Sequence, residues 1–360
     1  MMAVDAALVR AVSIDLSPAT ADPPVADDAT VSHAVSHRVQ GLLAAAVERG
    51  EVAADEATTA AINEAHLAAL RTCLLAEETA VLTFDALRGA GVTCRVLKGI
   101  AIAHLDHDDP SERVFGDADV LIGRADHGRA LVALGAAGFR RDEPPVRGWW
   151  ERRFGKAIVL RAPNGGELDL HLTLTGGYFG ERIDGKALMN RRGDSVLLAG
   201  RTLVALDRED RLLQACCHSV LGGGSGLRAQ RDIAQLAMLR RADWQATVAR
   251  ARSQGADVVV ARGVERAWSV LSLAADHPAA QWAQQFVATD RQLRALASYD
   301  AAFSSTWGPE GRSIVAALGP LDRARFVFGL ALPSRASLGA RDRTLREHLR
   351  RGSATMGSSR

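Results

Sequence analysis

Two aspartates, Asp117 and Asp119, stand two apart in the apolar run RVFGDADVLI. In a strand, residues two apart point to the same face, so both carboxylates project together while Ala118 and Val120 face the other way. Burying one such charge beside another costs free energy unless a cation is shared or each finds a partner. Further along, GELDLHL alternates Asp169 and His171 with Leu168, Leu170 and Leu172. If that strand neighbours the first, three carboxylates converge, and their repulsion calls for a divalent ion. Mg²⁺ is the first expectation, with Mn²⁺ as the alternative, because such ions favour oxygen ligands and keep positions open for substrate phosphates. Asp-x-Asp on one strand with a third carboxylate on another is a two-metal layout for phosphoryl or nucleotidyl transfer.

A phosphate site is readable nearby. Lys98-Gly99 precedes the apolar helical turn IAIAHL. Glycine lets backbone approach phosphate, a helix N-terminus offers unpaired N–H groups, and lysine adds charge. Arg113 stands ahead of Asp117 as a further cation. His171 shares the strand face of Asp169 and is placed to orient it or touch substrate. His218, in the apolar helical run ACCHSVL, reads first as a core histidine and second as a substrate contact. Arg228, Arg231 and Asp232 follow the segment GGGSG. They form either a clamp on triphosphate, to which arginine is suited, or an ion-pair network between helices. RGWWERRF offers Trp149 and Trp150 beside Arg152 and Arg153, a set that can stack a base or simply pack a loop. Arg211 and His218 on one helix raise a ribonuclease reading, but no second acid or base accompanies them.

The elements that must position these groups follow a clear order. Residues 1–33, rich in Pro, Ala and Asp towards their end, read as a flexible N-terminal segment. Residues 34–91 read as two helices broken near Gly50 to Ala54, with Asp55 capping the second. Residues 92–206 form an α+β core: strands at 92–97 and around Asp117, a hairpin across Pro163-Asn164-Gly165-Gly166, and a strand pair flanking Ala199-Gly200. Asp207 opens a helical domain over 207–333, and 334–360 is a basic C-terminal tail. Strands grouped in one block between helices argue for an α+β fold with a small mixed sheet.

Bulk properties exclude other classes. Lys+Arg 44 against Asp+Glu 42 gives a net charge of +2, so no overall field points to nucleic acid or membrane. No run approaches the roughly 20 apolar residues of a membrane span. The four cysteines make no CxxC pair, which suits buried thiols in a reducing, cytoplasmic setting.

VLKGIAIAHL, RVFGDADVLI and ELDLHL, in that order, resemble the uncharacterised nucleotidyltransferase family of the polymerase-β-like superfamily over roughly residues 80–240. The resemblance implies a small mixed sheet backed by helices and metal-dependent transfer of a nucleoside monophosphate from an NTP, ATP first, with pyrophosphate release. By position it makes Asp117, Asp119 and Asp169 the metal-binding catalytic carboxylates, and Lys98, Gly99 and Arg113 the nucleotide contacts. Family members occur in peptide-modifying settings, so the expected acceptor is a small molecule or a peptide. One departure stands out. The superfamily usually has Gly-Ser or Gly-Gly at the phosphate loop, whereas Gly99 here precedes Ile100 and offers no hydroxyl. That departure keeps an alternative open: a non-catalytic nucleotide-binding or scaffold module that binds a protein partner through its helical half.

Overall fold

The computed structural model describes residues 5–19, 21–142, 144, 147–222, 226–240, 242–300, 314–332, 334 and 338. Capping signals in the sequence become helix starts. The Asp55 carboxylate accepts the Thr58 N–H at 2.7 Å and opens a helix of 34 residues, Glu56–Gly89. Asp207 does the same for Arg208–Leu221 by accepting from Asp210 N–H at 3.0 Å. Gln40–Glu48 is the helix before the break near Gly50.

Among the described residues seven strands follow in chain order: β1 (Cys94–Val96), β2 (Ala118–Ile122), β3 (Arg140–Arg141), β4 (Ala157–Arg161), β5 (Glu167–His171), β6 (Ser195–Leu198) and β7 (Arg201–Val204). The first five make one mixed sheet in the order β1-β2-β5-β4-β3, and β6 and β7 pair separately. Only β2 and β5 run parallel in that sheet; its other pairings are antiparallel. The fold is α+β, with the sheet embedded in helices.

Strand alternation divides the sheet into two unlike faces. Ala118, Val120, Ile122, Leu168 and Leu170 pack into a core with Cys73, Ala76, Ala80, Phe84 and Leu87 of the long helix. Those helical positions recur at three- and four-residue spacing, the stripe a helix buries against a sheet. The opposite face carries Asp119, Leu121, Asp169 and His171. Leu121 there joins a second core built with helices Arg208–Leu221, Leu227–Ala234 and Asp257–Val270.

The helical layer is tied by a buried ion pair to the helix that follows β1. Arg211 grips Asp106, at the end of helix Lys98–Asp106, with Nε at 2.8 Å and Nη2 at 2.9 Å, and reaches Asp194 with Nη1 at 2.6 Å. That bidentate geometry commits the guanidinium to holding two elements together. The Arg211–His218 ribonuclease reading ends there.

The flexible segment expected over residues 1–33 differs from what the structure shows. Ala6–Val12 is a helix and Asp28–His37 is another. Leu8, Val12 and Ile14 are buried, and the Arg231 guanidinium donates to the carbonyls of Val12 at 2.9 Å and Ile14 at 2.5 Å. So short a helix has no stability of its own, and its order comes from tertiary burial that composition does not reveal.

Trp150 also has a packing role. Its ring lies 5.3 Å from that of Phe326 on helix Pro320–Ala331, and its Nε1–H donates to the Phe326 carbonyl at 3.1 Å. The basic tail over 334–360 lies, but for residues 334 and 338, outside the described residues. Among the described residues no helix is long and apolar enough to cross a membrane. Cys73, Cys94, Cys216 and Cys217 are free and buried. Burial pushes the Cys94 and Cys217 thiols up to about 12, which removes them as nucleophiles at neutral pH.

Candidate active site

The parallel pairing of β2 and β5 sets Asp119 directly opposite Asp169 and Leu121 opposite His171. Parallel partners share a face, so the two carboxylates stand side by side with the imidazole next along the strand. Asp119 and His171 are buried; the Asp169 side chain keeps 24% of its exposure and is the group of the three open to a ligand. Oxygen or nitrogen atoms of Asp119, Asp169 and His171 all lie within 4.8 Å of one another. Asp117 sits in the bend just before β2, partly exposed and outside that tightest group.

Lys98 supplies the nearest cation. Its Nζ donates to Asp119 Oδ1 at 2.5 Å and lies 3.3 Å from His171 Nε2. His171 Nε2 is 2.7 Å from the same Asp119 oxygen and 3.9 Å from Asp169 Oδ2. Burial raises the Asp119 carboxyl, but Lys98 and then His171 outweigh it and hold the group well below the usual carboxylate range. Asp169 moves the other way: burial pushes its carboxyl up, Asp119 and Asp117 add to the rise, and His171 opposes it. Neighbouring carboxylates in one site are thus driven apart in proton affinity, a pattern that suits division of labour.

Lys98 is itself in an uncommon conformation, with φ of 40°. A non-glycine residue there is strained and needs its surroundings to hold it. One restraint is Gln214, whose Oε1 accepts the Lys98 N–H at 3.3 Å. Another is Gly99. A Cβ built on Gly99 would stand 2.6 Å from Phe115 Cβ and 3.3 Å from Arg113 Nη1. The close approach at Gly99 is therefore made to the 113–115 segment, which gives this glycine a packing reason as well as the expected phosphate one.

The remaining expected residues separate into two groups. Arg113 and Asp232 form a buried bidentate pair, with Nε at 3.1 Å and Nη2 at 2.7 Å from the two carboxylate oxygens. Burial raises the Asp232 carboxyl, and Arg113 more than reverses this. Arg228 lies beside that pair and donates through Nη1 to the Val114 carbonyl at 3.3 Å. Burial lowers its pKa to about 10, with the repulsion of Arg113 adding to the effect and the carboxylates of Asp232 and Asp117 opposing it. His218 faces the same cations. Burial, then Lys98 and Arg228, lower its pKa to about 4, so the ring is neutral at pH 7. Arg231 is not brought to the site. Its guanidinium faces away, onto the N-terminal segment.

Two contributors escape a reading by motif. Gln214 lies one helical turn before His218, and that spacing on one face is the signal that would have found it. Arg38, at the end of helix Asp28–His37, brings its Nη1 to 3.9 Å from where a Cβ on Gly116 would stand. No local motif marks it.

The donor set fits a divalent ion. Asp119 and Asp169 offer carboxylate oxygens, and His171 offers a ring nitrogen. The His171 Nδ1 faces the Thr173 carbonyl at 3.3 Å, an acceptor only. With a metal bound, Nδ1–H would donate there and leave Nε2 to coordinate, whereas without one the 2.7 Å contact to Asp119 needs a proton on Nε2.

No curated protein and no solved structure matches this chain. The model of a family described as uncharacterised nucleotidyltransferase matches residues 23–271, a span that holds both strands, Lys98 and the helices facing them. The chain belongs to that nucleotidyltransferase family.

Proposed function

We propose that this protein transfers a nucleoside monophosphate from an NTP, ATP first, to a hydroxyl of a small molecule or peptide, releasing pyrophosphate. The observation that carries the reading is the in-register Asp119–Asp169 pair with Lys98 and His171 against it. Asp117, Asp119 and Asp169 hold divalent metal, Mg²⁺ or Mn²⁺, with His171 orienting Asp119. When bound, such ions lower the pKa of an attacking hydroxyl and neutralise charge on the triphosphate.

The chain's own groups complete the chemistry. Lys98 exchanges its hold on Asp119 for a phosphate oxygen at the start of helix Lys98–Asp106, where backbone N–H groups also point outward. Asp169, partly exposed beside Asp119, would take the proton of the acceptor hydroxyl. Arg113, saturated by Asp232, acts as a positioning residue that fixes the loop ahead of Asp117. Helices Arg208–Leu221 and Leu227–Ala234 then close the far wall of the site.

The test is incubation with each of the four NTPs, labelled at the α-phosphate, in Mg²⁺ or Mn²⁺ with host extract as acceptor. Label transfer with pyrophosphate release supports the reading. A second reading, nucleotide binding without turnover, is favoured by one feature: Lys98–Asp119 and Arg113–Asp232 already satisfy each other. Tight MgATP binding with no labelled product in any extract supports that one instead.

A further inference from the structure

The loop ahead of Asp117 is flanked by arginines from two elements distant in sequence. Arg38 caps helix Asp28–His37 in the left-handed region, φ 55° and ψ 49°, with its N–H bonded to the carbonyls of Ala34 and Val35. The turn aims its side chain at Gly116, and the Gly116 Cα has nothing closer to its open side than Thr72 and that guanidinium. The same helix end abuts the second element: His37 Nδ1 lies 3.5 Å from where a Cβ on Gly226 would stand, at the start of helix Leu227–Ala234. Arg228 projects from that helix start and holds one protein acceptor, the Val114 carbonyl.

Cations outnumber carboxylates here: Arg38, Arg113 and Arg228 stand against Asp232 and Asp117. Arg113 and Asp232 neutralise each other. Arg38 and Arg228 lie near enough to repel, and neither makes an ion pair with any described residue. Arg38 is exposed. Two guanidinium groups of this kind, set beside Asp117 with donors unspent, form a recognition site for an anion bearing several oxygens.

Resting on the nucleotidyltransferase reading above, we propose that Arg38 and Arg228 clamp the β- and γ-phosphates of the NTP. The N-terminal helices thereby belong to the substrate site. The clamp takes over the hydroxyl-free Gly99-Ile100 turn's share of triphosphate binding. It acts on the leaving pyrophosphate and not on the nucleoside or the α-phosphate.

Calorimetric titration of the full chain with MgATP, inorganic tripolyphosphate and AMP tests this. The variants are Arg38→Asn, which suits the left-handed backbone, together with Arg38→Lys and Arg228→Gln. Loss of one charge-assisted contact predicts roughly tenfold weaker binding of MgATP and tripolyphosphate for Arg38→Asn. AMP binding stays within about twofold, and Arg38→Lys recovers part of the loss. Wild-type affinity of Arg38→Asn for tripolyphosphate would overturn the clamp, while label transfer by the wild-type chain would still uphold the nucleotidyltransferase reading. Equal weakening of AMP and tripolyphosphate would overturn the assignment to the phosphate tail. Failure of the wild-type chain to bind MgATP would overturn both. Thermal unfolding of each variant separates misfolding from lost contact, and where Arg38→Asn unfolds early, Arg38→Lys decides.

Discussion

Asp119 and Asp169 face each other across the one parallel pairing in the sheet, and the protein holds their carboxyls in opposite senses, Asp119 down and Asp169 up. Lys98 makes the difference: its Nζ is 2.5 Å from Asp119, whereas Asp169 keeps the open side. On the proposed reading both carboxylates would hold metal, and the partly exposed Asp169 would also face the acceptor.

Arg113 should matter to folding more than to contact with substrate. Arg113→Met leaves the Asp232 carboxylate buried without its partner, a change expected to cost about 3–5 kcal/mol. Arg113→Met with Asp232→Leu removes both charges and should recover most of that loss. Urea denaturation checks this, and a single variant as stable as wild type would contradict it.

Gly99→Ala should strain the site from behind. The added Cβ meets Phe115, and relief requires moving Lys98 or the segment at 113–115, at about 1–3 kcal/mol. Phe115→Ala in the same chain opens the space, so the double variant should lose less than the two single losses added. A double-mutant cycle on denaturation midpoints measures that coupling.

His218 should impose a pH slope on stability. Its folded pKa falls from the ordinary 6.5 to about 4, so between those values the unfolded chain binds a proton that the folded chain refuses. Stability attributable to this group is therefore full above pH 6.5 and declines as pH falls toward 4. His218→Gln should flatten the slope in that window. Denaturation midpoints taken every half unit of pH would show it, and an unchanged slope would count against a buried neutral ring.

Much of the site was legible because strand alternation and helix capping are local rules. Period-two spacing put Asp169 and His171 on one strand face and marked Asp119, whereas Asp117, expected on the same strand as Asp119, lies in the bend before β2. Asp55 and Asp207 were marked by their cap positions. The strand register was not legible, because pairing β2 with β5 depends on contacts between segments far apart in sequence. Helix geometry explains the divided fate of Arg228, Arg231 and Asp232. At about 100° per residue, Arg231 and Asp232 fall on opposite flanks of Arg228, so one reaches the N-terminal segment and the other Arg113. Arg38 stayed hidden for a related reason. Its helix, Asp28–His37, starts inside the stretch read as flexible, and only the burial of Thr30 and Ala34 in the fold shows how that helix is set.

The most direct measurement is transfer of α-labelled nucleotide by wild type and Asp119→Asn side by side, with Mg²⁺, with Mn²⁺ and with excess chelator. The expected result is labelled product from wild type with either metal and none with chelator. Asp119→Asn, which removes the charge that anchors the metal, should fall by at least about 10²-fold. Transfer that survives in Asp119→Asn, or that ignores the chelator, would contradict a metal-dependent site built on the Asp119–Asp169 pair.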